Sequence, residues 1–76
     1  MRIISQNGMI DVPYEMTAFH MAGGTIRMNM VGDTGKGTII AQYSTQEKAL
    51  KSLEQMRDVL YHTPERVFRF PQEGEI

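Results

Sequence analysis

Along this chain the spacing of apolar residues changes from a period of two to a helical period, and then back to two. The first runs are RIIS (Arg2 to Ser5), rich in β-branched residues, and MIDVPYE (Met9 to Glu15), which alternates; Asn7-Gly8 separates them. Asn-Gly supplies the φ > 0 pair of a type I′ turn, the strongest short hairpin signal. A two-residue turn there pairs Gln6 with Met9, Ser5 with Ile10 and Ile3 with Val12. Paired residues share a face, so Ile3, Ile10, Val12 and Tyr14 gather on one side. Arg2, Ile4, Asp11 and Pro13 take the other. Pro13 has no N–H for a ladder, which places this strand at an edge or ends it.

The next break is Gly23-Gly24. A two-residue turn there pairs Met21 with Ile26, Phe19 with Met28 and Thr17 with Met30, so both arms put their apolar residues on one face. Ala18, His20, Ala22, Thr25, Arg27 and Asn29 lie opposite. VGDTGKGT (Val31 to Thr38) then leads into a third arm, where Ile39, Ala41 and Tyr43 alternate with Ile40 and Gln42.

The period changes at Ser44-Thr45-Gln46-Glu47, an S-x-x-E capping box that makes Ser44 the N-cap. Ala49, Leu50, Leu53, Met56 and Leu60 recur at helical spacing, with Lys48, Lys51, Glu54, Gln55 and Asp58 largely outside that stripe. Glu47 and Lys51 are spaced for an i,i+4 ion pair. Pro64 ends the helix at or just before Thr63. RVFRF (Arg66 to Phe70) alternates again, Phe68 and Phe70 against Val67 and Arg69, until Pro71 stops it. The acidic tail QEGEI is expected to fray.

These elements predict a single α+β domain over residues 1–76. It is an antiparallel sheet of about five or six strands, with one helix packed on one face and a short C-terminal strand. One helix covers only part of such a sheet. The remaining apolar face, carrying Phe19, Met21, Ile26, Met28 and Met30, must curl on itself or meet another chain. Three of the seven methionines stand there, Met21, Met28 and Met30. They read as core filling or as an adaptable contact surface, since thioethers repack against varied partners.

Size sharpens that question. A chain of 76 residues is near the lower limit for folding alone, and oligomerisation is one remedy. There is no cysteine to supply a disulfide or a thiolate metal cluster. The net charge of −1, with eight basic and nine acidic side chains, weakens a nucleic-acid reading without removing a local basic patch. MRIISQNG lacks the apolar stretch of a signal peptide, and no segment is built to span a bilayer. A soluble, cytoplasmic protein is the expectation.

Chemistry-bearing residues are sparse. Gly35-Lys36 suggests a phosphate-binding loop, but a Walker A motif needs G-x-x-x-x-G-K-[ST]. Here Gly37 follows the lysine, Met30 holds the first glycine's place, and a strand rather than a helix comes next. Backbone N–H groups with Lys36 could still hold an anion. His20 has Arg27 opposite it and no carboxylate beside it, so no activated nucleophile is assembled. His62 suits the C-terminal end of a helix dipole. Asp11, Glu15, Asp33, Glu73 and Glu75 lie on separate segments, and two distant histidines do not make a metal site. No catalytic residue, metal or cofactor is assigned. Arg27, Lys36, Arg66 and Arg69 are the candidate anion or ligand contacts, forming a basic strip if their strands are neighbours.

Three stretches, MRIISQNGMIDVPYE, GDTGKGTIIAQYST and EKALKSLEQMR, resemble a group of uncharacterised small proteins encoded by prophages and other mobile elements of Gram-positive bacteria. Tyr43 to Ala49 is the most recognisable piece, and it encodes a strand-to-helix junction rather than a chemistry. The resemblance implies a mobile-element setting and a protein that binds a host factor or sequesters a small molecule. The leading expectation is therefore a non-enzymatic, homo-oligomeric interaction protein that self-associates through its sheet and acts on a host protein or signal. The alternative is a nucleotide- or nucleic-acid-binding module that uses the basic strip and the glycine-rich loop.

Overall fold

Six strands and one long helix succeed one another in the computed structural model, which describes every residue from Met1 to Ile76. β1 (Arg2–Ile4) and β2 (Asp11–Pro13) form the first hairpin, and a 3-10 turn over Tyr14–Met16 leads to β3 (Thr17–Ala22). Next come β4 (Thr25–Met30), β5 (Thr38–Gln42), α1 (Gln46–His62), β6 (Val67–Arg69) and a 3-10 turn over Glu73–Glu75.

The α+β class and the mainly antiparallel pairing hold, but the single sheet does not. The strands form two three-stranded sheets, ordered β2-β1-β6 and β3-β4-β5. β6 lies parallel to β1, with Phe68 opposite Ile3. Parallel neighbours need a long crossover, and here the whole chain between β1 and β6 provides it. Both sheets and α1 enclose one core of Ile3, Val12, Ile26, Met28, Ile40, Ala41, Tyr43, Ala49, Leu53, Met56, Phe68 and Phe70. The apolar face left over by the helix thus curls onto the second sheet.

The first hairpin keeps its register, Ile3 opposite Val12, with β2 and Pro13 at the sheet edge. Its turn is not type I′, because Gly8 alone has a positive φ, at 77°, and Asn7 does not. Gly8 N–H instead donates to the Ser5 carbonyl at 2.9 Å, and Asn7 Oδ1 accepts from Met9 N–H at 2.9 Å. The buried Ser5 hydroxyl takes the place of a ladder acceptor for Ile10 N–H at 3.0 Å. The expected Gln6–Met9 pair is replaced by this side-chain network.

The second hairpin has the expected register throughout, Met21 opposite Ile26 and Phe19 opposite Met28. β5 departs from strict alternation. Ala41 faces Ile26 and Ile39 faces Arg27, leaving Ile40 as an extra residue in a bulge. Ile40 and Ala41 consequently both enter the core, and Ile39 turns outward at 42 % exposure. The bulge also aims the Ile40 carbonyl at Gln6 N–H, 2.9 Å away. Gln6 Oε1 accepts from Gln42 N–H at 2.9 Å, and Gln6 Nε2 donates to the Pro71 carbonyl at 3.2 Å. One glutamine thus stitches the two sheets together.

α1 starts one residue later than the capping box suggested. Thr45 is the N-cap, its hydroxyl accepting from Lys48 N–H at 3.2 Å. The buried stripe is Ala49, Ser52, Leu53 and Met56, so Leu50 faces outward, and Glu47 and Lys51 form no ion pair. Thr63 caps the C-terminal end ahead of Pro64, as expected.

Ser44 has a different use: its N–H and hydroxyl donate to the Glu73 carboxylate at 2.7 and 3.1 Å, and Lys48 Nζ lies 2.6 Å from the same group. The tail is therefore fastened, not frayed. The Tyr43 hydroxyl donates to the Pro71 carbonyl at 2.7 Å, and Ile76 packs on the core. Burial pushes the Tyr43 phenol above its ordinary value, which keeps it a donor.

Lys48, and then the Ser44 N–H, hold the Glu73 carboxyl below its ordinary 4.5. A lowered folded-state value adds stability above the unfolded value and loses it as pH falls through the folded one. Acidification below the ordinary carboxylate range should therefore release the tail. Amide NMR shifts of Gln72 to Ile76 should move together in that range. In Glu73→Gln they should start near the released position and show little acid step.

Candidate functional site

The residues proposed for contact with other molecules sit mostly on the β3-β4-β5 sheet, which has an inner face, an outer face and one open edge. The inner face is spent. Ile26 and Met28 are 0 % and 7 % exposed, and Phe19, Met21 and Met30 are half-buried against the same core. The Phe19 ring centroid lies 6.2 Å from that of Tyr14 and 6.1 Å from that of Phe70. These five residues are not an open apolar face: the core takes up Ile26 and Met28 fully, and Phe19, Met21 and Met30 in part.

Nor do the four basic residues form a strip. Arg27 stands on the outer face of β4, with Nη1 3.4 Å from the Gly37 carbonyl, and Lys36 is exposed on the β4–β5 loop. Arg66 and Arg69 belong to the other sheet, since β6 pairs with β1 and not with β4. Arg69 Nη2 lies 3.5 Å from the Gln6 carbonyl. No salt bridge uses any of the four.

The loop Val31–Gly37 joins two strands, so no helix N-terminus faces it. Its base is clasped by Asp33, whose Oδ2 accepts from Met30 N–H at 3.0 Å. At Gly37 the close approach excludes a side chain: a Cβ would lie 2.7 Å from both the Met28 carbonyl and Asn29 Oδ1. His20 is exposed and sits opposite Arg27, while His62 pairs with Asp58 at 3.3 Å. No three His, Asp or Glu side chains converge as metal ligands. The largest groove, about 600 Å³ between α1 and β6, is open and lined by Lys51, Glu54, Gln55, Asp58, Val59 and Phe68.

What the sequence pattern did not reveal is the edge of β3. The Val31 N–H bond to the Met16 carbonyl, 2.8 Å, fixes the phase of the β3–β4 ladder. Residues 18, 20 and 22 point their N–H and C=O groups at β4, and Phe19 and Met21 turn theirs away from it. No hydrogen bond outside the ladder reaches the backbone of Phe19 or Met21. The other edges are guarded. Gln6 occupies the edge of β5, Pro13 stands on β2, and β6 is only three residues long, preceded by Arg66 and ending in Arg69. β3 has six residues, TAFHMA, with no proline, no bulge, and no carboxylate, lysine or arginine. Natural edges normally carry at least one such guard. The signal was present in the composition of Thr17 to Ala22, but only strand order identifies that segment as an edge.

Protein-family models, curated proteins and solved structures were all compared with this chain, and none matches it. No helix is long and apolar enough to cross a membrane.

Proposed function

We propose that this protein acts by association rather than catalysis, its copies pairing along the free edge of β3. The observation that carries the reading is the unguarded row of N–H and C=O groups at Phe19 and Met21. An antiparallel two-fold through His20 sets Phe19 against the partner's Met21, and Met21 against the partner's Phe19. These are the hydrogen-bonded pairs, and their half-buried side chains cover one another on the core side. A second copy fits better than an unrelated strand, because this edge is complementary to itself in both backbone phase and side-chain face. The product is a six-stranded sheet, β5-β4-β3 and its two-fold mate. The resemblance to mobile-element proteins suggests that such a pair engages a host protein or signal.

In this arrangement His20 meets the partner's His20 in a non-hydrogen-bonded pair, with Cα atoms about 4.5 Å apart. That makes a charge-swap test available at an exposed residue. His20→Lys and His20→Glu each place like charges across the two-fold, and each should weaken self-association about tenfold. Mixing the two variants should restore pairing as a heterodimer. Sedimentation velocity over a concentration series reads all three states. A wild-type protein that stays monomeric at every concentration, or a dimer indifferent to both substitutions, contradicts the proposal.

A further inference from the structure

We infer that the outer face of the β3-β4-β5 sheet is a binding surface for single-stranded nucleic acid. The net charge of −1 hides a segregation of charge. Reading across the register, this face carries Ala22, Thr25 and Gln42 in one row, His20, Arg27 and Ile39 in the next, and Ala18 and Asn29 in the third. None is acidic. Asp33 is the only carboxylate in the β4–β5 hairpin, and its oxygen is turned back onto Met30 N–H. Lys36 is exposed on the loop that joins β4 to β5, and neither it nor Arg27 forms a salt bridge.

The shape selects the ligand. The only groove touching this sheet, about 160 Å³ beside Gln6 and Ile39, cannot enclose a small phosphorylated molecule. An open face with spaced cations suits a ligand whose anionic groups repeat. The planar side chains narrow the class further. Unstacked bases lie on histidine rings and arginine guanidinium planes, as well as on larger aromatics. His20 and Arg27 are cross-strand neighbours, and exposed Ile39 extends that row as an apolar floor. A duplex keeps its bases stacked inside and has no use for such a row.

The site is complete on one protomer, and the edge pairing proposed above doubles it. The row then reads Arg27, His20, the partner's His20, the partner's Arg27, with the outer backbones about 14 Å apart at ordinary strand spacing. The inference rests on that pairing only for this extension.

Fluorescence anisotropy of a labelled single-stranded oligonucleotide, run beside sedimentation of the same samples, tests it. Binding should appear at low salt and weaken with a log–log slope of about −3 for four cations in a pair, or about −1.4 for a lone protomer. The slope and the measured mass thus separate failure of the pairing from failure of the site. Arg27→Ala and Lys36→Ala should each weaken binding severalfold, and Arg27→Glu should abolish it, all with unchanged mass and a cooperative melting transition. Arg66→Ala and Arg69→Ala should leave it as it was. The inference is overturned by no binding at low salt, by equal affinity for a duplex of the same length, or by indifference to Arg27→Glu.

Discussion

Replacing Gly24 with alanine is expected to remove most of the domain's stability, about 4 kcal/mol or more, the range reserved for severe steric or burial faults. The new Cβ would lie 2.1 Å from the Tyr43 carbonyl oxygen and 3.2 Å from that of Thr45, both backbone atoms. Neither side has room to retreat. Tyr43 N–H donates to the Gly24 carbonyl at 2.8 Å, and the Tyr43 side chain is buried and tied to Pro71. Gly23 is the natural control. It has φ 61°, and a Cβ there would meet nothing within 4 Å, so Gly23→Ala should cost only the left-handed strain of about 1–2 kcal/mol. A domain of this size has roughly 4–11 kcal/mol in total. Urea denaturation should therefore find Gly23→Ala folded and Gly24→Ala largely unfolded. Equal midpoints would mean that the β3–β4 turn does not abut the start of α1 as described.

Gln6→Ala should be the next most damaging, at about 2 kcal/mol. Its side chain satisfies Gln42 N–H on one sheet and reaches Pro71 beyond the other. Pro71 keeps the Tyr43 hydroxyl as a donor after the change, whereas Gln42 N–H loses its one protein acceptor and turns to water. The loss should fall on the joint between sheets. Denaturation midpoints measure the cost, and amide exchange at Gln42 locates it. Gln6→Glu retains the acceptor for Gln42 but sets a carboxylate oxygen against the Pro71 carbonyl, so at neutral pH it should also be destabilised. A wild-type midpoint in Gln6→Ala would show that this residue does not join the sheets.

Local patterns were legible wherever the causes were local. Gly23-Gly24 fixed a whole hairpin, because only one register gathers Phe19, Met21, Ile26 and Met28 on one side. Pro64 and Pro71 marked the ends of α1 and β6 for steric reasons. What stayed hidden depended on distant partners. Nothing near Val67 to Arg69 announces a parallel neighbour at Arg2 to Ile4. Ile39-Ile40-Ala41 is apolar at every position, so alternation could not reveal the bulge that Gln6 exploits. Ser44 and Thr45 are both competent caps, and the choice was made by Glu73, far along the chain.

The readings of the site residues turned on strand order. Treating Phe19, Met21, Ile26, Met28 and Met30 as an open apolar face assumed one sheet, whereas two sheets bury Ile26 and Met28 and leave Phe19, Met21 and Met30 half-buried against the core. A strip of Arg27, Lys36, Arg66 and Arg69 assumed that β6 neighbours β4, which the strand order denies. The same strand order is what exposes the far side of Phe19 and Met21 as an edge.

Amide hydrogen exchange at Phe19 and Met21, followed as a function of protein concentration, addresses the central claim at the atoms that make it. If copies pair along β3, both amides exchange quickly in dilute samples and become protected as concentration rises, while Ala18, His20 and Ala22 stay protected throughout by β4. Fast exchange at Phe19 and Met21 at every concentration, or protection already complete in a dilute monomer, would contradict it.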